Sequence, residues 1–259
     1  MITAVSRAGG KVAGASVFEL GTGYRPNVPL AFWLHGALRV TSVDLNRYLS
    51  PSLFDKDLLA ARSAPEEALA DLESPLVPTD NVRLAFLLHN RTHAVDMLRE
   101  MSFEYIAPCD AARVGLPGGT FDLHISRSVL EHIEPTSMEA IFNEARRLLR
   151  PGGLLVHLVD FSDHSAHSDS TITSVNFLQF SSTQWDCIAG NRFAYHNRLR
   201  VDDYLGLFAR LDLKVLLNDS WVDQRALDVL RGEFPLDECF RGRQLTDLAT
   251  YSSLFILSP

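Results

Sequence analysis

Cysteine is scarce in this chain and badly placed for cross-linking. Cys109, Cys187 and Cys239 are odd in number, widely spaced and form no CxxC pair, which argues against both a disulfide framework and a thiolate zinc site. No apolar run reaches the roughly 18 to 20 residues that span a bilayer. The opening MITAVSRAGGKVAG carries no apolar stretch of the kind found in a secretory signal. The expectation is a soluble, cytoplasmic protein with no membrane partner. Basic residues are outnumbered, 24 against 32 acidic for a formal charge of -8, and they are dispersed along the chain. Counterion release on nucleic acid therefore has no footprint, and no nucleic-acid partner is expected. Internal repeats and low-complexity tails are missing as well.

Apolar content is ample. With 46% hydrophobic residues, the 259-residue chain can bury a large core as a single α/β domain over 1–259. Strand-like runs occur at 15–20 (ASVFEL), 40–44 (VTSVD), 103–108 (FEYIAP), 121–126 (FDLHIS), 154–160 (LLVHLVD), 213–219 (LKVLLND) and 251–258 (YSSLFILS). Their apolar character and the helix-length segments between them suit a doubly wound, mostly parallel seven-stranded sheet covered by helices on both faces. Helices are expected over Pro29–Leu38, Asn81–Met101, Ser137–Leu149 and Val201–Arg210, the third stopped by Pro151-Gly152-Gly153. The polar 62–80 region reads as a surface excursion. Between Asp160 and Arg200 the periodicity fails over a length greater than an ordinary connection, so 161–200 is expected to be an inserted substrate lid after strand 5.

The most informative segment is Val17-Phe18-Glu19-Leu20-Gly21-Thr22-Gly23, a strand that ends on an acid and opens into a small-residue turn before a helix. Two glycines let backbone approach a ligand, and the helix that follows presents free N–H groups. Asp44 closes the next strand 21 residues after Gly23, near the roughly 20-residue offset at which an acid accepts hydrogen bonds from ribose hydroxyls.

These residues resemble the class I, seven-stranded S-adenosylmethionine-dependent methyltransferases, over roughly residues 15 to 160. Glu19-Leu20-Gly21-Thr22-Gly23 is similar to that family's first motif and Ser42-Val43-Asp44-Leu45 to its second. Asp110-Ala111-Ala112, with Leu116-Pro117 and Phe121-Asp122-Leu123, is similar to the third. Ser126-Arg127-Ser128-Val129-Leu130-Glu131-His132-Ile133 is similar to the fourth, and Leu148 to Leu155 to the turn into the fifth strand. The resemblance implies S-adenosyl-L-methionine as cofactor and a strand order of 3-2-1-4-5-7-6 with the last strand antiparallel. It implies a cofactor site of Glu19, Gly21, Thr22, Gly23, Asp44, Leu45, Asp110, Ala111 and Ser126. Within it Glu19 and the glycine turn meet the methionine moiety, Asp44 the ribose, and Asp110 with Ala111 the adenine edge. One departure is Tyr24-Arg25-Pro26-Asn27-Val28-Pro29, bulkier than the small residue many members carry after GxG, which stiffens the turn and reshapes the methionine pocket.

Bland readings stand beside these. The glycines alone could make a ligand-free turn, Asp44 a strand-end cap, Asp110 a turn cap, and Glu131-His132 a helix start rather than a base. Asp160, Asp163, His164 and His167 cluster after the fifth strand, where a methyl acceptor is expected. The candidate catalytic set is Asp160, His164 and His167, because oxygen methylation needs the acceptor hydroxyl deprotonated during in-line attack. The same cluster could hold a divalent cation, but its loop spacing is nonspecific and no metal is assigned; a solvated polar loop is the remaining reading. For the substrate, Tyr24, Trp185, Arg192, Tyr195 and Arg198 supply aromatic faces and guanidinium forks.

The expected function is methyl transfer to an oxygen, less readily a nitrogen, of a small polar metabolite or sugar. The alternatives are a non-methylating use of the same cofactor that releases methylthioadenosine, by cyclisation or aminocarboxypropyl transfer, and a non-catalytic binding module. A nicotinamide-dependent dehydrogenase is disfavoured, since Asn27 and Val28 stand where the third glycine of GxGxxG is sought.

Overall fold

A computed structural model describes residues 1–65, 81–190 and 195–259. Most of the 62–80 excursion lies outside them. Seven strands make one sheet in the order β3-β2-β1-β4-β5-β7-β6, the order that the family resemblance implies. They are β1 (Ser16–Leu20), β2 (Arg39–Val43), β3 (Phe103–Ile106), β4 (Phe121–Arg127), β5 (Leu149–Asp160), β6 (Lys214–Val222) and β7 (Thr250–Ser258). The chain divides into two compact units, Met1–Arg127 with Ala140–Val156 and Ser258–Pro259, and Ser128–Glu139 with His157–Leu257.

In the first unit β1 is buried along its whole length. It pairs in parallel with β2 (Glu19 opposite Ser42) and with β4 (Glu19 opposite Ile125), while β2 pairs in parallel with β3 (Ser42 opposite Tyr105). A strand with neighbours on both edges and helices against the sheet needs apolar side chains at successive positions, which is why ASVFEL shows no alternation. Helix α1 is Ile2–Arg7, and α2 is Asn27–Leu34. α2 ends earlier than its periodicity predicts because Gly36 takes φ +88°, the left-handed turn that terminates helices. Helix α3 (Pro51–Ser63) has no counterpart in the sequence reading, although Ser50 and Pro51 are its signal: the Ser50 hydroxyl accepts from the Leu53 N–H and proline sits at the first helical position.

The single helix expected over Asn81–Met101 is two, α4 (Asn81–His89) and α5 (Ala94–Glu100). The break is held by side chains from α3. Arg62 donates to the carbonyls of Leu87 (3.0 Å) and Thr92 (2.9 Å), and Asp55 accepts from the Ala94 N–H (2.7 Å). Leu30, Trp33, Leu34, Phe54, Leu58, Leu87 and Met97 join as the core beneath these helices. Helix α6 (Pro135–Leu148) runs directly into β5, so Pro151-Gly152-Gly153 falls inside the strand, with Gly152 at φ +81°.

In the second unit the described part of 161–200 is organised around short turns at His164–His167 and Asn176–Gln179 and helix α7 (Ser182–Ala189). Ser181 and Gln184 close a reciprocal cap at its start. Helices α8 (Val201–Arg210), α9 (Gln224–Arg231) and α10 (Leu245–Ala249) follow. Phe177 and Leu178 are fully buried with Leu227, Leu230, Phe240 and Leu248, so the centre of this stretch is anchored in a core. The 231–247 segment contributes Phe240 to that core and pairs Arg243 with Asp203 at 2.7 Å. No helix among the described residues is long and apolar enough to cross a membrane.

Candidate active site

The first unit gathers the acids that close β1 and β2. Glu19 is buried, and the hydroxyls of Thr22 and Ser42 converge on one of its carboxylate oxygens. Its side chain leaves β1 opposite Ser42 in the parallel register, so the pairing follows from strand alignment. Burial pushes the Glu19 carboxyl up to about 7; the two hydroxyls oppose the shift and the nearby Asp44 charge adds to it.

Asp44 is 7% exposed. Its Oδ2 accepts from the Gly23 N–H at 3.1 Å and from the Tyr105 hydroxyl at 2.9 Å. Burial raises its carboxyl above the ordinary range, against those donors and the Thr22 backbone. Gly21 and Gly23 have φ +77° and +66°, the left-handed region that favours glycine. The Gly21 N–H is held by the Val43 carbonyl at 2.8 Å, whereas a Cβ built on Gly23 meets nothing within 4 Å. The turn therefore keeps an open face beside Asp44. Pro26 precedes α2 without any side-chain cap on the helix start, which leaves first-turn N–H groups for a ligand.

Tyr24 is exposed and its ring lies 5.5 Å from that of Tyr48. Tyr48 and Leu49 donate their N–H groups to the Tyr105 oxygen at 3.1 and 3.4 Å. Sequence reasoning missed Tyr105, Tyr48 and Ser42; the available signal was the offset of FEYIAP against VTSVD, which sets Tyr105 opposite Ser42. Leu45 is 69% exposed. Ser126 is fully buried and aligned with Leu20 across β4 and β1. Asp110 is exposed and accepts from the Ala112 N–H at 2.9 Å, closing its own turn beside the half-buried Ala111.

The second unit contains the expected catalytic set. Asp160 Oδ1 accepts from the Ser162 N–H (2.8 Å) and hydroxyl (2.6 Å), and that hydroxyl also lies 2.9 Å from His167 Nε2. His164 and His167 place Nε2 3.8 and 3.7 Å from Asp160 Oδ2. Asp163 is set to structure instead: it caps the turn at Ser165 and accepts from Asn176. Burial lowers the His164 imidazole, with Asp160 opposing and His132 and His167 reinforcing the shift. Two buried groups were not part of the expected set. Glu131 is pushed up to about 8 by burial, and His196 is held down near 3 by burial with repulsion from His164, His132 and Arg200.

Of the expected substrate residues in this unit, Trp185 donates to the His196 carbonyl at 2.8 Å, and Arg198 donates to the carbonyls of Phe177 and Phe180 while its guanidinium lies over Trp185 and Phe240. Tyr195 is half-buried and its carbonyl meets His132 Nδ1 at 2.9 Å. Arg192 lies outside the described residues.

Residues 18–157 match the family described as a methyltransferase domain. No curated protein sequence matches the chain. Solved structures share its fold at low identity. The S-adenosylmethionine-dependent methyltransferase from Mesorhizobium loti superposes with a TM-score of 0.51 at 14% identity, covering 98% of this chain and 95% of that one. A putative sarcosine dimethylglycine methyltransferase from Galdieria sulphuraria gives 0.52 at 12% identity, covering 98% and 82%. The [4+2]-cyclase SpnF gives 0.50 at 11% identity, covering 98% and 77%.

Proposed function

Because the chain belongs to the methyltransferase-domain family and uses S-adenosylmethionine as its cofactor, we propose that it transfers a methyl group to an oxygen, less readily a nitrogen, of a small polar metabolite or sugar. The bound cofactor supplies an electrophilic methyl carbon. Asp44 holds the ribose: a carboxylate has about four lone-pair sites, and Gly23 and Tyr105 occupy only part of that capacity. Glu19, with Thr22 and the Gly21–Gly23 turn, receives the methionine portion, and an adenine ring laid on Leu45 would cover an apolar side chain now 69% exposed. Asp110, Ala111 and Ser126 complete the proposed cofactor set, with the 110–113 turn offering the adenine edge its backbone.

The observation that carries the choice of oxygen is the contact chain Asp160–Ser162–His167 at the carboxyl end of β5, the end at which open parallel sheets place their ligands. An imidazole tied to a carboxylate through a hydroxyl can take the acceptor proton as the new C–O bond forms. In this reading 161–200 excludes water, and Trp185, Tyr195 and Arg198 of the second unit surround the acceptor. Screening hydroxyl-bearing against amine-bearing acceptors for S-adenosylhomocysteine tests it. His167→Ala should lower kcat on the productive hydroxyl by about 100-fold or more, leaving cofactor affinity unchanged. Turnover confined to amines, or an unaffected kcat, removes the base.

Fold alone does not set the reaction, since a [4+2]-cyclase shares this one. Release of methylthioadenosine in place of S-adenosylhomocysteine would move the chemistry to the non-methylating alternative.

A further inference from the structure

Glu131 is 1% exposed; only the backbone N–H groups of Glu131 and Asp160 approach its carboxylate, and no side chain donates to either oxygen. Leaving a carboxylate in that condition is expensive unless a cation or a proton accompanies it. Around it stand imidazoles, the Asp160 carboxylate and the Tyr204 ring. His132 and His164 have ring centroids 5.1 Å apart, His164 and His196 4.3 Å, and His132 and His196 5.8 Å. The Nε2 of His164 is buried without a hydrogen-bond partner, and the buried His196 ring has only the Asp160 backbone to bond to. His132 Nδ1 lies 2.9 Å from the Tyr195 carbonyl. Donation of Nδ1–H to a backbone carbonyl fixes the tautomer and leaves the Nε2 lone pair outward, the arrangement metal-binding histidines use.

We propose that Glu131, His132 and His164 bind a first-row divalent cation, with Zn2+ the preferred ion. One donor atom from each lies within 4.8 Å of the others. Donors of a tetrahedral zinc site stand roughly 3.3 Å apart, a closure that His132 and His164, neither of them buried, can make by side-chain rotation. Two imidazoles and a carboxylate form a mixed nitrogen and oxygen set that suits Zn2+ and its neighbours better than Ca2+ or Mg2+, and it leaves a coordination position open. The buried His196 ring is not among the converging donors and packs against His164, with ring centroids 4.3 Å apart. Asp160, 3.8 Å from His164 Nε2, adds negative charge at its edge. The sequence reading considered a cation only on the 160–167 loop; the structure moves the carboxylate ligand to Glu131, about 30 residues earlier. With His164 on the metal, proton transfer is left to His167 and Asp160.

The test uses the tag-free full chain, stripped with chelator and titrated calorimetrically with Zn2+, then with Co2+ as an optical reporter. The expected result is one site per chain with Co2+ absorption bands of a four- or five-coordinate nitrogen and oxygen environment. His132→Ala and Glu131→Gln should each weaken binding by more than the tenfold to hundredfold that loss of a supporting residue typically produces. His89→Ala, on α4, should leave it unchanged. His132 is exposed and Glu131→Gln preserves shape, so circular dichroism of both variants will establish that they fold. Absence of stoichiometric binding, or binding indifferent to both substitutions, overturns the proposal. Metal binding is read without turnover, so that outcome leaves methyl transfer standing.

Discussion

Glu19 is a carboxyl group placed out of reach of water, and its protonation is coupled to folding. Its native pKa of about 7 stands above the ordinary 4.5, so the folded state binds the proton more tightly than the unfolded chain. The stability associated with the protonated form is therefore present at low pH and lost as pH rises through about 7. Between pH 5 and pH 8 the cofactor-free protein should lose about 2–3 kcal/mol relative to Glu19→Gln in denaturant unfolding. A difference that does not change with pH would contradict this account. Tyr105 acts on the second acid. Removing its hydroxyl with Tyr105→Phe takes one donor from Asp44 and should weaken S-adenosylhomocysteine binding about threefold to tenfold by calorimetry. Arg200 is a buried guanidinium in the second unit. It is 1% exposed and donates to the carbonyls of Phe161 (2.6 Å), Leu248 (2.7 Å) and Thr250 (2.6 Å). Arg200→Met should lower stability by about 3–5 kcal/mol and leave cofactor affinity per folded molecule unchanged. The acids at strand ends were legible because position alone identifies them. Tyr105, Glu131 and His196 were not, because their roles depend on register and on burial produced by distant segments.

At the scale of elements, the β1–α2 turn separates what the fold needs from what the ligand needs. Gly23 is left-handed, but a Cβ there meets no protein atom within 4 Å. Gly23→Ala should therefore cost only about 1–2 kcal/mol of stability, seen as a small drop in Tm. Cofactor affinity should fall further, by about tenfold or more, as the methyl group enters the space assigned to the methionine chain. A variant with lowered Tm and normal affinity would place the methionine elsewhere. The strands were readable from apolar runs, and α8 matches its predicted span, Val201–Arg210. Helices fixed by tertiary partners were not. The gap between α4 and α5 exists because Arg62 and Asp55 satisfy backbone groups there, and nothing in the periodicity of 81–101 reports that. Helix α3 was overlooked even though Ser50-Pro51 is a local start signal.

Across the whole molecule, the strand order β3-β2-β1-β4-β5-β7-β6 was reached through motif resemblance, since alternating strands and helices are compatible with several orders. The family match covers residues 18–157, the stretch that holds the acids and glycines of the proposed cofactor site. In the proposed reading the choice of acceptor falls to 161–200, whose described part is anchored by buried residues such as Phe177 and Leu178 and whose sequence has no periodic pattern of its own. Titration of wild type and Asp44→Ala with S-adenosylmethionine, followed by mass spectrometry of the cofactor product formed with cell extract, tests the central claim most directly. The account predicts one bound cofactor per chain, S-adenosylhomocysteine as product, and affinity reduced about 100-fold by the substitution, as expected for losing hydrogen bonds to a charged group. Equal affinity in the two proteins, or no binding by either, would contradict it.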